Sequence, residues 1–439
     1  EPYLSCIKIE QKQHAATRSN TYYDHLHRTT HLSPGVPNLN MPSLYQTLVL
    51  LAIALLTRHL VALYYFLGYA NTLTYNDASC TLHSPTDLHG SEDIAIGKEG
   101  LLFITSGDLH TVWEHGSTAA KPGGIWAYNI NPYVDQRWVN SPQRLPLHGF
   151  DQDLHGFHGH GFYISNQTDR LYVVNHAHKY SGIEIFRIEY NGMGRLPTLH
   201  HESTIGGDGV TFKRGAINDV VEGGEEINEI YVTTWLPHAL PEHGKKSNQK
   251  TMSETMGLLD NLSVQLFGIK KTEVVRCARN DQKVTTWDCN SATTMKFVAA
   301  NGITISPDRS QIYVNDPPMR RMSIFNRTRK DGSLQFVEQM DTLDVMDNIE
   351  YLQDDTIIMG SIPKPYQYSI DREILGKDVP VSGGAAVAFK DKETNEWVVE
   401  RVVTHDGTLL SQVSAAARWD KKIFMGSPFS PGFLECKLD

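Results

Sequence analysis

The chain has 439 residues, with 40 Lys+Arg against 50 Asp+Glu and a formal net charge of −10. Net negative charge without a basic cluster excludes nucleic acid as the main partner. The apolar fraction of 40% is that of a globular protein with one large domain or two modest ones.

Residues 1–40 are polar and rich in His, Thr and Ser, and they open on Glu1. They are expected to be a disordered or non-native leader, with Met41 as the initiator. Residues 41–76 are an apolar signal or anchor segment: Leu44–Leu56 and Leu60–Ala70 are apolar, with Arg58-His59 between them. Three readings stay open for it: a cleaved signal peptide, a membrane anchor, or an amphipathic helix on a membrane or lipid particle through residues 44–70. The protein is expected in the secretory pathway, secreted or anchored with its main domain on the lumenal or extracellular side.

Of five cysteines, Cys80 follows the apolar segment and Cys436 lies near the end. Joining them would tie the ends of the main domain together. Cys277 and Cys289 could staple a local excursion, and Cys6 is left over. The sequons at Asn166, Asn261 and Asn326 fit the same oxidising compartment as glycosylation candidates.

From residue 77 to 439 short β-rich runs dominate, punctuated by Gly, Asn and Asp. A self-similar unit recurs six times: 91–107, 160–176, 218–234, 301–316, 347–361 and 414–427. Each is a polar residue, an apolar strand, a turn and a second strand. Six copies with variable loops between them predict an all-β, six-bladed β-propeller in which the unit is the inner strand pair of each blade.

That architecture has a chemical consequence. Residues at the start of each innermost strand converge on the central channel, although they span more than half the chain. Glu92, Asn218, Asn301, Asp347 and Asn348 then supply two carboxylates and three amides, a hard-oxygen set suited to Ca²⁺. Zinc prefers nitrogen and sulfur, which this set lacks. Asp93 and Asp219 each neighbour a member of the set. Strand alternation points them the other way, toward a second, deeper ion completed by a backbone carbonyl near Phe162. Ser414 occupies the sixth position and adds no charge.

The segments GSEDIAI, GHGFYIS, YVVNH, INDVV, ANGITISPD and MDNI resemble the signature segments of the paraoxonase/arylesterase family, in the same order, from about Cys80 to Cys436. The resemblance implies a six-bladed propeller with two central calcium ions. The catalytic ion would be held by Glu92, Asn218, Asn301, Asp347 and Asn348, and the structural ion by Asp93, Asp219 and the Phe162 carbonyl. It implies His160 and His176 as the catalytic histidine pair, a Cys80–Cys436 disulfide and a retained apolar helix. Three departures stand out. The family's mammalian members carry a further pocket histidine after the Asp-Asn motif, where this chain reads MGSIPKP. The loop DLHTVWEHGSTAAKPGG and the 235–295 region also differ, so substrate preference does not carry over.

The expected function is a calcium-dependent hydrolase of aryl esters and lactones, with a promiscuous phosphotriesterase activity also conceivable. Calcium would polarise the carbonyl while His160 takes a proton from water and His176 orients it. Glu92 or Asp347 is the alternative base. His155 and His158 are read as loop residues at the channel rim, with a zinc site of His155, His158 and His160 as the competing reading. Two other functions are weighed: a non-catalytic propeller stiffened by calcium for binding, and a propeller enzyme of the gluconolactonase or strictosidine-synthase type. No G-x-S-x-G, H-E-x-x-H, Walker A or C-x-x-C motif is present.

Overall fold

The computed structural model describes residues 44–77, 79–131, 141–192, 195–207, 211–212, 215–224, 228–238, 268–279 and 286–438. The leader 1–40, Cys6 and the Asn261 sequon lie outside these residues.

Among the described residues the strands fall into six sheets, antiparallel throughout except where the short edge strand Leu147–His148 runs parallel to Thr198–Ile205. All six predicted inner pairs are present, opening with the strands Ile94–Ile96, Gly159–Ser165, Ala216–Glu222, Ile303–Ile305, Val345–Tyr351 and Ala415–Trp419. The first strand of each sheet packs on the first strand of the next, and the sixth returns to the first. The ring is a six-bladed β-propeller, as the repeat predicts.

The period-2 pattern of each strand explains why the ring closes. Alternate residues point to opposite faces of a blade, so each strand feeds two interfaces. In Leu101–Ser106, Phe103 enters a cluster with Leu171, Val173 and Phe186 of the second blade. Its neighbours Leu102 and Ile104 enter a cluster with Ala417, Phe424 and Phe433 of the sixth blade. Six apolar clusters of this kind fill the interfaces between neighbouring blades. The tight inner turns use residues that tolerate positive φ: Asp169, Asp355 and Asp420 sit at 51°, 59° and 52°.

The sixth blade takes strands from both ends of the chain. Cys80–His83 pairs with Phe433–Lys437, and Cys80 lies directly opposite Cys436. The two form a disulfide with Cα atoms 4.0 Å apart. Cys277 and Cys289 likewise face each other in one strand pair and form the second disulfide. Cys436→Ser is expected to destabilise the propeller by about 2–5 kcal/mol. Chemical unfolding under oxidising conditions would measure this, and an unchanged midpoint would mean that strand pairing alone closes the ring.

The N-terminal apolar segment is a helix, Leu44–Phe66, continuous through Arg58-His59. Its Tyr45–Phe66 stretch, with mean hydropathy 1.9, is long and apolar enough to cross a membrane. It stops short of the expected residue 70. Arg320 Nη2 donates to the Phe66 carbonyl at 3.0 Å, satisfying a C-terminal helix acceptor. Asn71 Nδ2 then donates to Asp344 and to the Pro363 carbonyl, and Tyr69 stacks on Tyr366 at 4.3 Å.

Candidate metal centre and active site

Three inner strands break register where the predicted ligands lie. The shifts fall between Gly159 and Phe162, between Ile217 and Val220, and between Met346 and Ile349. Each leaves two residues out of the ladder: His160-Gly161, Asn218-Asp219 and Asp347-Asn348. A bulge re-aims side chains that strict alternation would send to opposite faces. Two glycines let the strands approach closely. A Cβ on Gly161 would lie 2.4 Å from Asp219 Oδ1, and one on Gly302 would lie 2.5 Å from the Asp347 carbonyl.

The upper set comes together. Asn348 Nδ2 donates to Glu92 Oε1 at 2.8 Å and to the Glu92 carbonyl at 3.1 Å. Asn218 Nδ2 donates to His160 Nε2 at 3.3 Å, and Glu92 Oε1 lies 3.5 Å from the same nitrogen. Asn301 bonds Asp347, a contact that only partly opposes the rise that burial gives its pKa. Ser414 adds only a support, its Oγ donating to the Glu92 carbonyl at 2.6 Å.

What these residues leave over is more informative than what they bond. Glu92 Oε2, Asn218 Oδ1, Asn301 Oδ1, Asp347 Oδ1 and Asn348 Oδ1 are all buried without a hydrogen-bond donor. Folded proteins satisfy most buried acceptors, so five orphaned oxygens, one from each member of this set, need a shared partner. A hard cation with flexible coordination fits them. Among the described residues, no group of three or more His, Cys, Asp or Glu is gathered as a metal site by itself. The set here mixes two carboxylates with three amides.

The deeper pair differs. Asp93 accepts from the backbone N–H groups of Ile94 and Phe162, each at 2.9 Å. Asp219 accepts from those of Val220 at 2.7 Å and Ile303 at 2.9 Å. The contact Phe162 makes with Asp93 is thus through its N–H. Both carboxylates are buried, and burial dominates their electrostatics. Asp93 is pushed up to about 7, and Asp219 is held well above the usual range by burial and by Asp93. Burial, then Asp93 and Asp347, raises Glu92 well above that range, and Asp347 is pushed up to about 7 by burial and Asp93. Carboxyls this crowded ionise only with a counter-charge.

One channel carboxylate escapes the sequence reading. Glu350 lies two residues past Asn348 and is raised well above its usual range by desolvation and by Asp93. It faces a cavity of about 1320 Å³ at the far end of the inner strands. The signal was the period of two along DNIEY, which places it on the face of Asn348.

The three clustered histidines go to three places. His155 stands beside Phe150 and Tyr180. His158 is buried rather than at the rim, with Nε2 on the Ser117 carbonyl at 3.0 Å. Only His160 reaches the oxygen set, so the three rings share no zinc site. His160 Nδ1 lies 3.0 Å from His176 Nε2, and His176 Nδ1 lies 3.0 Å from Ser181 Oγ. With Asn218 donating to Nε2, the chain of bonds assigns the His160 proton to Nδ1 and leaves a lone pair on Nε2. Burial first, then His176, holds His160 well below its ordinary pKa, and burial lowers His176 to about 4. Both rings are neutral at physiological pH.

The family model for arylesterases matches residues 272–438. Serum paraoxonase/lactonase 3 of Rattus norvegicus is 28% identical over 356 residues, covering 80% of this chain and 86% of the relative. Serum paraoxonase/arylesterase 2 of Bos taurus is 27% identical over 359 residues, with the same two coverages. The chain is similar to proteins of the paraoxonase/arylesterase family over four-fifths of its length. The similarity to these relatives extends well beyond the segment matched by the arylesterase model.

Of the sequons, Asn166 is exposed on the turn between Gly159–Ser165 and Arg170–His176. Asn326 is exposed within Arg321–Arg327, where its Oδ1 accepts from Gln311 Nε2 at 3.3 Å.

Proposed function

We propose that this protein is a calcium-dependent hydrolase of aryl esters and lactones, with the propeller channel as its active site. The coarser statement is plain from its relatives: it is an esterase/lactonase-type hydrolase acting on small molecules. The observation that supports the rest is the five orphaned oxygens beside a neutral His160–His176 pair.

Glu92, Asn218, Asn301, Asp347 and Asn348 would hold one calcium ion. Asp93, Asp219 and Phe162 would hold a second, structural one. When bound, calcium supplies Lewis-acid polarisation of the ester carbonyl and charge for the developing oxyanion. His160 takes the proton of the attacking water at Nε2. Its Nδ1–H, already donated to His176, spreads the imidazolium charge, and Ser181 fixes the second ring. A binding module would not require this relay next to the ligand set. Glu92 Oε1, 3.5 Å from Nε2, stabilises the protonated ring.

His160→Gln is expected to lower kcat by about 10²–10⁴-fold while leaving calcium affinity near wild type. Steady-state kinetics with parallel calcium titration test it, and wild-type turnover would move the base to Glu92 or Asp347. The broader test is a panel of phenyl esters, δ-lactones and a phosphotriester, assayed with and without calcium. Hydrolysis that ignores calcium throughout would overturn the reading.

The two disulfides and the apolar helix fit a secretory or membrane-anchored protein. The propeller then faces the lumen or the exterior, with Asn166 accessible to glycosylation and the helix available to a membrane or lipid particle.

A further inference from the structure

Trp113, beside His160, and Trp235, beside Trp113, carry indole donors without an acceptor among the described residues. Trp113 lies on the helix Leu109–His115, whose N-cap is Asp108. Its ring centroid is 5.9 Å from that of His160 and 5.6 Å from that of Trp235, which lies at the end of the strand Glu229–Leu236. Phe429 packs edge-on against Trp113 at 5.6 Å. The indole nitrogens of both Trp113 and Trp235 are buried without an acceptor among the described residues.

A buried indole N–H ordinarily finds a partner, because desolvating it unpaired is unfavourable. One orphan could be a local misfit. Two adjacent ones, with identical chemistry and one of them in ring contact with the proposed base, are a paired donor site. Both also come from segments where this chain departs from its family's pattern, the DLHTVWEHGSTAAKPGG loop and the region from residue 235.

We infer that Trp113 and Trp235 form a polar subsite for a second acceptor oxygen of the substrate, distinct from the scissile ester group. This rests on the hydrolase reading above, since it takes the scissile carbonyl to lie at the oxygen set and His160. The favoured substrates are lactones or esters whose side chain carries an ether or carbonyl oxygen, flanked by apolar surface that packs on the aromatic rings. The all-carbon analogue leaves both N–H groups buried and unpaired, and a site built to donate hydrogen bonds discriminates against such an analogue. The tryptophans are positioning residues and take no part in the proton transfer.

The test is an oxygen scan with the full-length, calcium-loaded enzyme. A δ-lactone with a linear alkyl side chain is compared with analogues in which each methylene is replaced in turn by an ether oxygen. At one position kcat/KM is expected to exceed that of the all-carbon lactone by about tenfold per donor engaged. Trp113→Phe and Trp235→Phe keep a ring but remove the donor. Each is expected to reduce that ratio, and the double variant to bring it near one, whatever change the two substrates share. A wild-type ratio at or below one at every position would overturn the inference. So would a preference that survives the double variant, or a loss that is equal for ether and carbon substrates. If the wild type opens no lactone and cleaves no aryl ester, the hydrolase reading itself fails.

Discussion

Asp347→Ala is expected to lower kcat/KM for aryl esters and lactones by about a hundred- to a thousandfold, the scale of losing one preorganised electrostatic element of a transition-state site. Asp347 is buried in the channel, and its Oδ1 is one of the five oxygens without a donor. It bonds Asn301 and sits within the field of Glu92 and Asp93. Removing it takes away one of only two carboxylates in the upper set, so calcium affinity should fall with activity. Kinetics at saturating calcium, together with calcium titration, separate the two effects. Turnover at wild-type level would remove the ion from the chemistry.

Chelation is expected to have the largest effect on stability. An ion that binds only the folded state at a thousandfold above its Kd stabilises it by about 4 kcal/mol. Stripping it should therefore lower Tm by several degrees or more. The sign with pH follows from the channel carboxyls. In the ion-free protein Asp93 and Asp347 are pushed up to about 7, well above their unfolded values. The folded state then holds protons that the unfolded state has lost, so stability falls as pH rises through 7. His176, lowered to about 4, acts the opposite way, but only below the ordinary histidine range. Thermal melts between about pH 6.5 and 7.5 cover the upper part of that loss, above most of the histidine titration. The ion-free protein should lose Tm across that window, and the calcium-loaded protein should hold it. Identical curves with and without chelator would count against both ion sites.

The propeller was legible because its signal repeats. Six inner pairs, from the strand at Ile94–Ile96 to that at Ala415–Trp419, each carry turn chemistry and alternation that agree with the fold. The five upper ligands were legible for the same reason: they recur at one position of the repeat. The bulges at His160-Gly161, Asn218-Asp219 and Asp347-Asn348 were not. A bulge inserts a residue without altering composition, so alternation counts it as ordinary strand. Glu350 was passed over because it follows the ligand motif, though the strand period places it on the channel side. The burial of His158 was hidden too. A glycine-separated histidine reads as exposed until the Ser117 carbonyl that holds its ring is folded against it. Trp113 and Trp235 carried no pattern at all. Their meeting depends on a short helix and a strand end 122 positions apart in sequence order, Trp113 before the second blade and Trp235 in the third.

The pairing of Cys80–His83 with Phe433–Lys437 sets the ends of the propeller side by side and bonds them covalently. The order in which the blades are encoded is therefore not what the ring remembers. A gene rearranged to begin at the exposed turn around Asn191, with a short peptide bridging the old ends, would rebuild the same channel and the same ion ligands from a different starting point.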